Sequence, residues 1–199
     1  MNEENDFYKT ARYVFSQNGH KKALEMCYPE YFKNQIFFLE EVSMECCRDI
    51  RGQVLDQEFA VDMIAKTKLK MKESEINDLE IDGFDTVTIQ EKVLKPHHLY
   101  YDETVTLTVR KENTNQESEW FKLGNISLYV WIYYDKDRDE IVDWIAVENP
   151  VRIRDKVRKK EIPFNTRLSG DSNCTFVSIK VADLERHNLI SARMDNILH

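Results

Sequence analysis

Two short apolar runs carry side chains of the kinds that do chemistry: Asp62 within FAVDMIA (residues 59–65), and Gln90 and Lys92 within TVTIQEKV (residues 86–93). Both runs are rich in β-branched residues, and in a strand successive side chains point to opposite faces. Val87, Ile89, Glu91 and Val93 then share one face of the second run, with Thr88, Gln90 and Lys92 on the other. If the two runs pair as neighbouring strands, an acid, an amide oxygen and an ammonium converge on one spot. Such a trio can hold a divalent cation and a phosphate together.

The chemistry this predicts is hydrolysis of a phosphodiester. That reaction needs charge stabilisation on the phosphoryl oxygens and an activated water, and one or two Mg²⁺ (or Mn²⁺) ions supply both when oxygen ligands hold them. Asp62 is the expected principal ligand, Gln90 adds its amide oxygen and Glu91 its backbone carbonyl. Lys92 positions or helps deprotonate the water and stabilises the developing charge. Gln in place of a carboxylate removes a negative charge, so either the metal is held more weakly or another acid compensates. Glu40, Glu41 and Glu45 are the candidates, unranked. Two plainer readings stand beside this one: Asp62 as a solvent-facing residue of an edge strand, and Gln90 and Lys92 as the ordinary polar face of a half-exposed strand. A shifted register would instead bring Asp82 or Asp85 to Lys92, with Glu91 as the active acid. Glu91 lies on the apolar side of its run, where it must reach the rim or find a cation, because a carboxylate buried unpaired is costly.

The elements that must position these groups follow from periodicity. Phe7, Ala11, Val14 and Phe15 at helical spacing predict a helix, broken at Asn18-Gly19 and followed by a second short one. Phe32, Ile36, Leu39, Ser43, Cys46 and Ile50 recur at steps of four and three, predicting an amphipathic helix over 30–51 that carries the three glutamates and stops at Gly52. Residues 54–65 read as one or two strands, 66–80 as a charged, partly helical excursion, and 86–94 as a strand ended by Lys95-Pro96. Residues 100–111 alternate cleanly, with Thr104, Thr106 and Thr108 opposite Val105, Leu107 and Val109. The most apolar stretch, LGNISLYVWIYY (123–134), is the expected central strand, turned by 135–140 into a hairpin partner over 141–147. A short basic helix (151–160), a strand (175–179) and a helix (181–190) close the order. The sum is an α+β (α/β/α-like) layout, a mixed central β-sheet flanked by helices.

A helix, then Asp62 in one apolar strand and Gln90-Glu91-Lys92 in the next, resembles the PD-(D/E)xK nuclease superfamily in its Asp...QxK form. That is the form of Mrr-like restriction enzymes, in which Gln stands where the commoner pattern has Asp or Glu. Downstream, SLYVWIYY, its partner IVDWIAV and the closing TFVSIKVADLERHNLI resemble the back half of phage and restriction nuclease-like domains. The resemblance covers residues 30–190 or so and rests on short motifs. It departs from the family pattern in having no Pro before the Asp and a long separation between Asp62 and Gln90. It implies a restriction-endonuclease-like fold, with a nuclease-like domain over 29–199 and an N-terminal helical extension over 1–28. It also implies a Mg²⁺-dependent endodeoxyribonuclease of phage, restriction or recombination type. Asp62, Gln90 and Lys92 would be its catalytic residues, with Asp62, Gln90 and Glu91 at the metal.

Composition bounds these readings. A chain of 199 residues with 42% hydrophobic and 11% aromatic residues is the size of one ordinary domain, and no apolar run approaches a membrane span. The start, MNEENDFYK, is acidic and lacks an apolar core, so a cytoplasmic protein without a secretory signal is expected. Cys27, Cys46, Cys47 and Cys174 show neither CxxC pairing nor zinc-finger spacing and read as a reduced, partly buried set. The net charge of -8 weighs against nucleic acid on the whole surface but leaves room for a local basic patch. Lys95 and His97, with His98, Tyr100 and Tyr101 behind them, and Arg152 and Arg154 in the basic run 152–160 are the expected DNA contacts. Five glycines, no Walker A loop and no Rossmann pattern set kinases and dehydrogenases aside, and Ser169 to Ser172 fits no serine-nucleophile motif. Two other classes remain: a catalytically silent domain of the same fold that binds a protein or nucleic-acid partner, and a structural subunit of a phage or mobile element. The expected partner is DNA, with RNA as the alternative substrate, no membrane is expected, and a homodimer is compatible with these residues.

Overall fold

The computed structural model describes residues 11–32, 36–41, 61–68, 84–97, 103–111, 118–168 and 174–194. The run LYVWIYYD forms strand β5 (Leu128–Asp135), buried along nearly its whole length. A strand covered on both faces needs two apolar sets: here Leu128, Val130 and Ile132 point one way and Tyr129, Trp131 and Tyr133 the other. Around it lie β1 (Ile36–Glu41), β2 (Met63–Lys68), β3 (Phe84–Leu94), β6 (Glu140–Glu148) and β9 (Ala192–Arg193). They make a six-stranded sheet in the order β1-β2-β3-β5-β6-β9. Every pairing is antiparallel except β3 with β5. The fold is mixed α+β, with a mixed multistranded sheet and helices.

Helices α1 (Ala11–Glu25) and α2 (Cys27–Tyr31) cover one face, where Ala23 and Tyr28 pack with Met63, Ile89, Val130, Ile132 and Trp144. The helix α1 runs unbroken through Asn18-Gly19, where a break was expected. Gly19 is buried there, and a Cβ on it would lie 2.4 Å from Val93 Cγ1 and 3.3 Å from the Tyr134 Cβ. The bare glycine lets the helix rest directly on the sheet, and that contact outweighs glycine's intrinsic cost in a helix of about 1 kcal/mol.

The opposite face is covered by a second sheet, of β4 (Thr104–Lys111), β8 (Cys174–Lys180) and β7 (Asn165–Leu168) in the order β4-β8-β7. The helices α3 (Glu119–Lys122), α4 (Val151–Arg158) and α5 (Val181–Arg186) add Trp120, Ile153, Val157 and Leu184 to the same core. Among the described strands β4 is an edge of its sheet, and unpaired edge carbonyls demand partners. The aromatic strand provides them: Tyr133 donates its hydroxyl to Thr104 O at 3.2 Å and Trp131 its indole N–H to Thr106 O at 3.0 Å. The alternation of Tyr, Trp and Tyr in β5 therefore joins the two sheets by polar tips on apolar bodies.

Within residues 30–51, the expected long helix gives way to β1 at Ile36–Glu41, which pairs antiparallel with β2. The run Ile36-Phe37-Phe38-Leu39 is itself strand-forming, and pairing on the sheet overrides the helical spacing of its neighbours. Glu30 and Tyr31 instead end α2, while residues 33–35 and 42–51, Gly52 and most of the charged excursion lie outside the described residues. Among the described residues no helix is long and apolar enough to cross a membrane.

Candidate functional site

Asp62 stands one residue before β2 rather than within it, yet its N–H donates to Ile89 O at 2.8 Å. Since Met63 faces Ile89, this extends the ladder so that Asp62 lies across from Gln90. The carboxylate Oδ2 accepts the Gln90 Nε2–H at 2.6 Å and the Glu91 backbone N–H at 2.8 Å. Gln90 is buried and its Nε2 also lies 3.2 Å from Glu91 O, while its Oε1 has no hydrogen-bond partner among the described residues. With no cation between them the amide is held this way round, because an oxygen in place of Nε2 would sit 2.6 Å from a carboxylate oxygen.

Lys92, two residues on, points to the same face. Its Nζ lies 3.3 Å from each of three oxygens, Thr106 O, Thr108 Oγ1 and Glu119 Oε2, and 5.0 Å from the centre of the Phe176 ring. Glu119 opens α3 and also accepts the Thr108 N–H and the Tyr129 hydroxyl, both at 3.0 Å. Burial pushes the Glu119 carboxyl up, but Lys92, the Thr108 N–H and Tyr129 together outweigh it and leave the group below the usual carboxylate range. The Tyr129 phenol is raised well above its ordinary value by burial, then by the charges of Glu119 and Asp62. It therefore stays a donor between the two acids. Sequence reasoning missed Glu119 because it follows a polar stretch and starts a helix too short to show a period. The missing signal was Lys92 itself, a cation that needs an acid once its strand is covered.

The neighbouring Glu91 carboxylate faces the other way, into the helical layer. Its side chain is 5% exposed; His20 Nδ1 lies 3.2 Å from both of its oxygens, and the Tyr28 hydroxyl donates to Oε2 at 2.7 Å. Burial, then the Glu91 charge, raises the Tyr28 phenol far above its ordinary value and pushes up the adjacent Cys27 thiol, disfavouring its thiolate. So Glu91 finds its partners on α1 and α2, and the shifted register with Glu91 as active acid is overturned. Asp85 faces Thr67 at the far end of β3, and Asp82 lies outside the described residues. Glu91→Leu is expected to cost about 1–3 kcal/mol for the stranded Tyr28 hydroxyl alone. Urea unfolding should show most of that cost recovered in the Glu91→Leu/Tyr28→Phe pair, and no recovery would mean that Glu91 anchors the helices by other means.

The remaining expected residues are scattered. Glu40 and Glu41 sit on β1, opposite Ile64 and Met63, rather than on a helix; register puts Glu40 on the Asp62 face, one strand out. Glu45, His98, Tyr100 and Tyr101 lie outside the described residues. Lys95 and His97 are exposed past the end of β3, and Arg152 is exposed on α4. Arg154 instead donates to the carbonyls of Trp120 (3.2 Å) and Phe121 (3.0 Å), clamping α3. Among the described residues no group of three or more His, Cys, Asp or Glu gathers as a metal cage. Any cation here would rest on Asp62 and Gln90 with backbone and water, a sparse set of hard oxygen donors.

Fold and site define a mixed α+β chain whose central sheet carries, on one face, Asp62 joined to the buried Gln90 and, beside them, a half-buried Lys92 joined to Glu119. No known family model, curated protein or solved structure matches it.

Proposed function

We propose that this chain is a PD-(D/E)xK-type endonuclease, restriction-endonuclease-like in fold, that hydrolyses DNA phosphodiesters with Mg²⁺ or Mn²⁺. The observation that carries the reading is the 2.6 Å contact of Gln90 with Asp62 across neighbouring strands, with Lys92 next along the same face. The residues fit a hard cation, since Gln90 Oε1 is a buried acceptor with no hydrogen bond among the described residues, close to a carboxylate. Asp62 and the Glu91 carbonyl would hold the ion, joined by the Gln90 amide oxygen once that amide turns off Asp62 Oδ2; when bound, the ion supplies Lewis-acid polarisation and a more acidic water. Asp62 is fixed in advance by the Glu91 N–H, so the rearrangement that seats the ion falls on the Gln90 amide. Lys92 contributes positive charge where the phosphoryl oxygens gain negative charge. Exposed Lys95, His97 and Arg152 serve the DNA backbone, whereas Arg154 is committed to α3.

A second reading, a catalytically silent domain of the same fold that binds a protein or nucleic-acid partner, is favoured by one observation. An ammonium has three N–H donors, and Lys92 has three protein oxygens to receive them. The test incubates the full chain with supercoiled plasmid and branched DNA in Mg²⁺, in Mn²⁺ and in EDTA. Cleavage with metal alone is expected. No cleavage of any substrate with either metal transfers the site to the second reading, and cleavage undiminished in EDTA removes the metal from the mechanism.

A further inference from the structure

We infer that Glu119 is the positioning residue for Lys92, the acid that fixes where the ammonium delivers its charge; the inference rests on the hydrolysis reading above. Lysine carries a point charge on a flexible four-carbon stem, so its place must be set by what it meets. Of its three oxygen partners Glu119 is the charged one, and the pair is mostly buried, with side chains 18% and 20% exposed. Glu119 is itself held from several sides: by the Thr108 N–H, by the Tyr129 hydroxyl, and by a helix whose carbonyls Arg154 clamps. The Ser118 hydroxyl, donating to Val109 O, pins the start of that helix to β4.

Charge supports the same assignment. A site of Asp62, Gln90 and Lys92 carries one negative and one positive charge, because Gln90 replaces the second carboxylate. Glu119 restores the missing negative charge, but against the lysine. Lys92 then acts as half of an ion pair held in one place, and Tyr129, which donates to Glu119 and pairs in register with Gln90, joins that pair to the strand position beside Asp62.

The experiment compares the full chain with Glu119→Gln and Glu119→Asp, each checked for folding by circular dichroism. One readout needs no cleavage: the rate at which acetic anhydride acetylates Lys92, measured by peptide mass spectrometry against exposed Lys66. Glu119→Gln is expected to raise that relative rate about tenfold by releasing the ammonium, and Glu119→Asp to leave it near the unmodified chain's. The other readout is cleavage. Glu119→Gln should lower kcat about 100-fold with KM and Mg²⁺ dependence unchanged, Glu119→Asp should recover most of it, and adding Glu119→Gln to Lys92→Met should cost nothing further. Unchanged acetylation, or a raised Mg²⁺ requirement in Glu119→Gln, overturns the positioning role. Full cleavage by Glu119→Gln overturns it alone, whereas a chain that never cleaves takes the hydrolysis reading down with it.

Discussion

Asp62→Asn is expected to reduce Mg²⁺-dependent DNA cleavage by about 1000-fold while leaving the melting temperature within a few degrees. The substitution keeps the shape of the side chain and one oxygen for the Gln90 and Glu91 donors, so the strand pairing at the head of β2 survives. What it removes is the one carboxylate that stands against Gln90, and with it the main attraction for a cation. Metal-borne charge stabilisation is worth several kcal/mol at the transition state, and about 1.4 kcal/mol corresponds to each factor of ten. Lys92→Met is a less clean probe, since it leaves Glu119 beside Tyr129 without its cation. Steady-state cleavage of plasmid by purified Asp62→Asn, with circular dichroism as the control, decides the matter. Cleavage within tenfold of the unmodified chain would remove Asp62 from the chemistry.

Arg193→Met is expected to lower stability by about 3–5 kcal/mol at neutral pH, the usual cost of removing one partner of a buried ion pair. Asp143 has no solvent exposure, and its Oδ2 receives Arg193 Nε at 2.9 Å and Nη2 at 2.8 Å, while Oδ1 accepts the Trp144 N–H at 2.8 Å. Burial pushes the Asp143 carboxyl above its ordinary value, although Arg193 and the Trp144 N–H pull the other way. The sign for pH follows. A carboxyl whose folded pKa is raised favours the folded state below the unfolded pKa and loses that advantage as pH rises through the folded value. Without Arg193 the rise is larger, so the deficit should be greatest near neutrality and shrink as the pH falls toward 4. Urea unfolding at both pH values measures it, and a deficit that does not change with pH would mean that Asp143 is not the stranded group. Asp143→Asn added to Arg193→Met should recover part of the loss.

How far the sequence could be read depended on whether an element's period was long and its partner near. β3, β4, β5 and β6 show strict alternation or a continuous apolar run, and each overlaps the run where the sequence places it, although the start of the 123–134 run, Leu123–Asn125, is a 3-10 turn and β5 begins at Leu128. So do α4 and β8. The face shared by Gln90 and Lys92 was legible because a period of two admits no other arrangement, and the meeting with Asp62 needed only that the two strands be neighbours. Elsewhere tertiary contacts decided. β1 carries helical spacing but pairs with β2, and Gly19 reads as a stop until Val93 is seen beneath it. The withdrawal of β4 into a second sheet depends on β8, far along the chain, and no local pattern announces it. Glu119 was hidden for the same reason, as its partners lie on β3, β4 and β5 and none is its sequence neighbour.

That same detour of β4 has a consequence for how the protein is made. β4 lies between β3 and β5 in the chain, but its ladder runs from Thr104↔Lys180 to Lys111↔Cys174, so among the described strands it has no partner until β8 has left the ribosome. Until then the nascent chain exposes the Tyr129, Trp131 and Tyr133 row, with the carbonyls that would receive two of its polar tips not yet held in place. Such long-range pairing closes slowly, and a synthesis halted before β8 would release a sticky half-layer on which Asp62 and Gln90 already face each other while Lys92 has no fixed place.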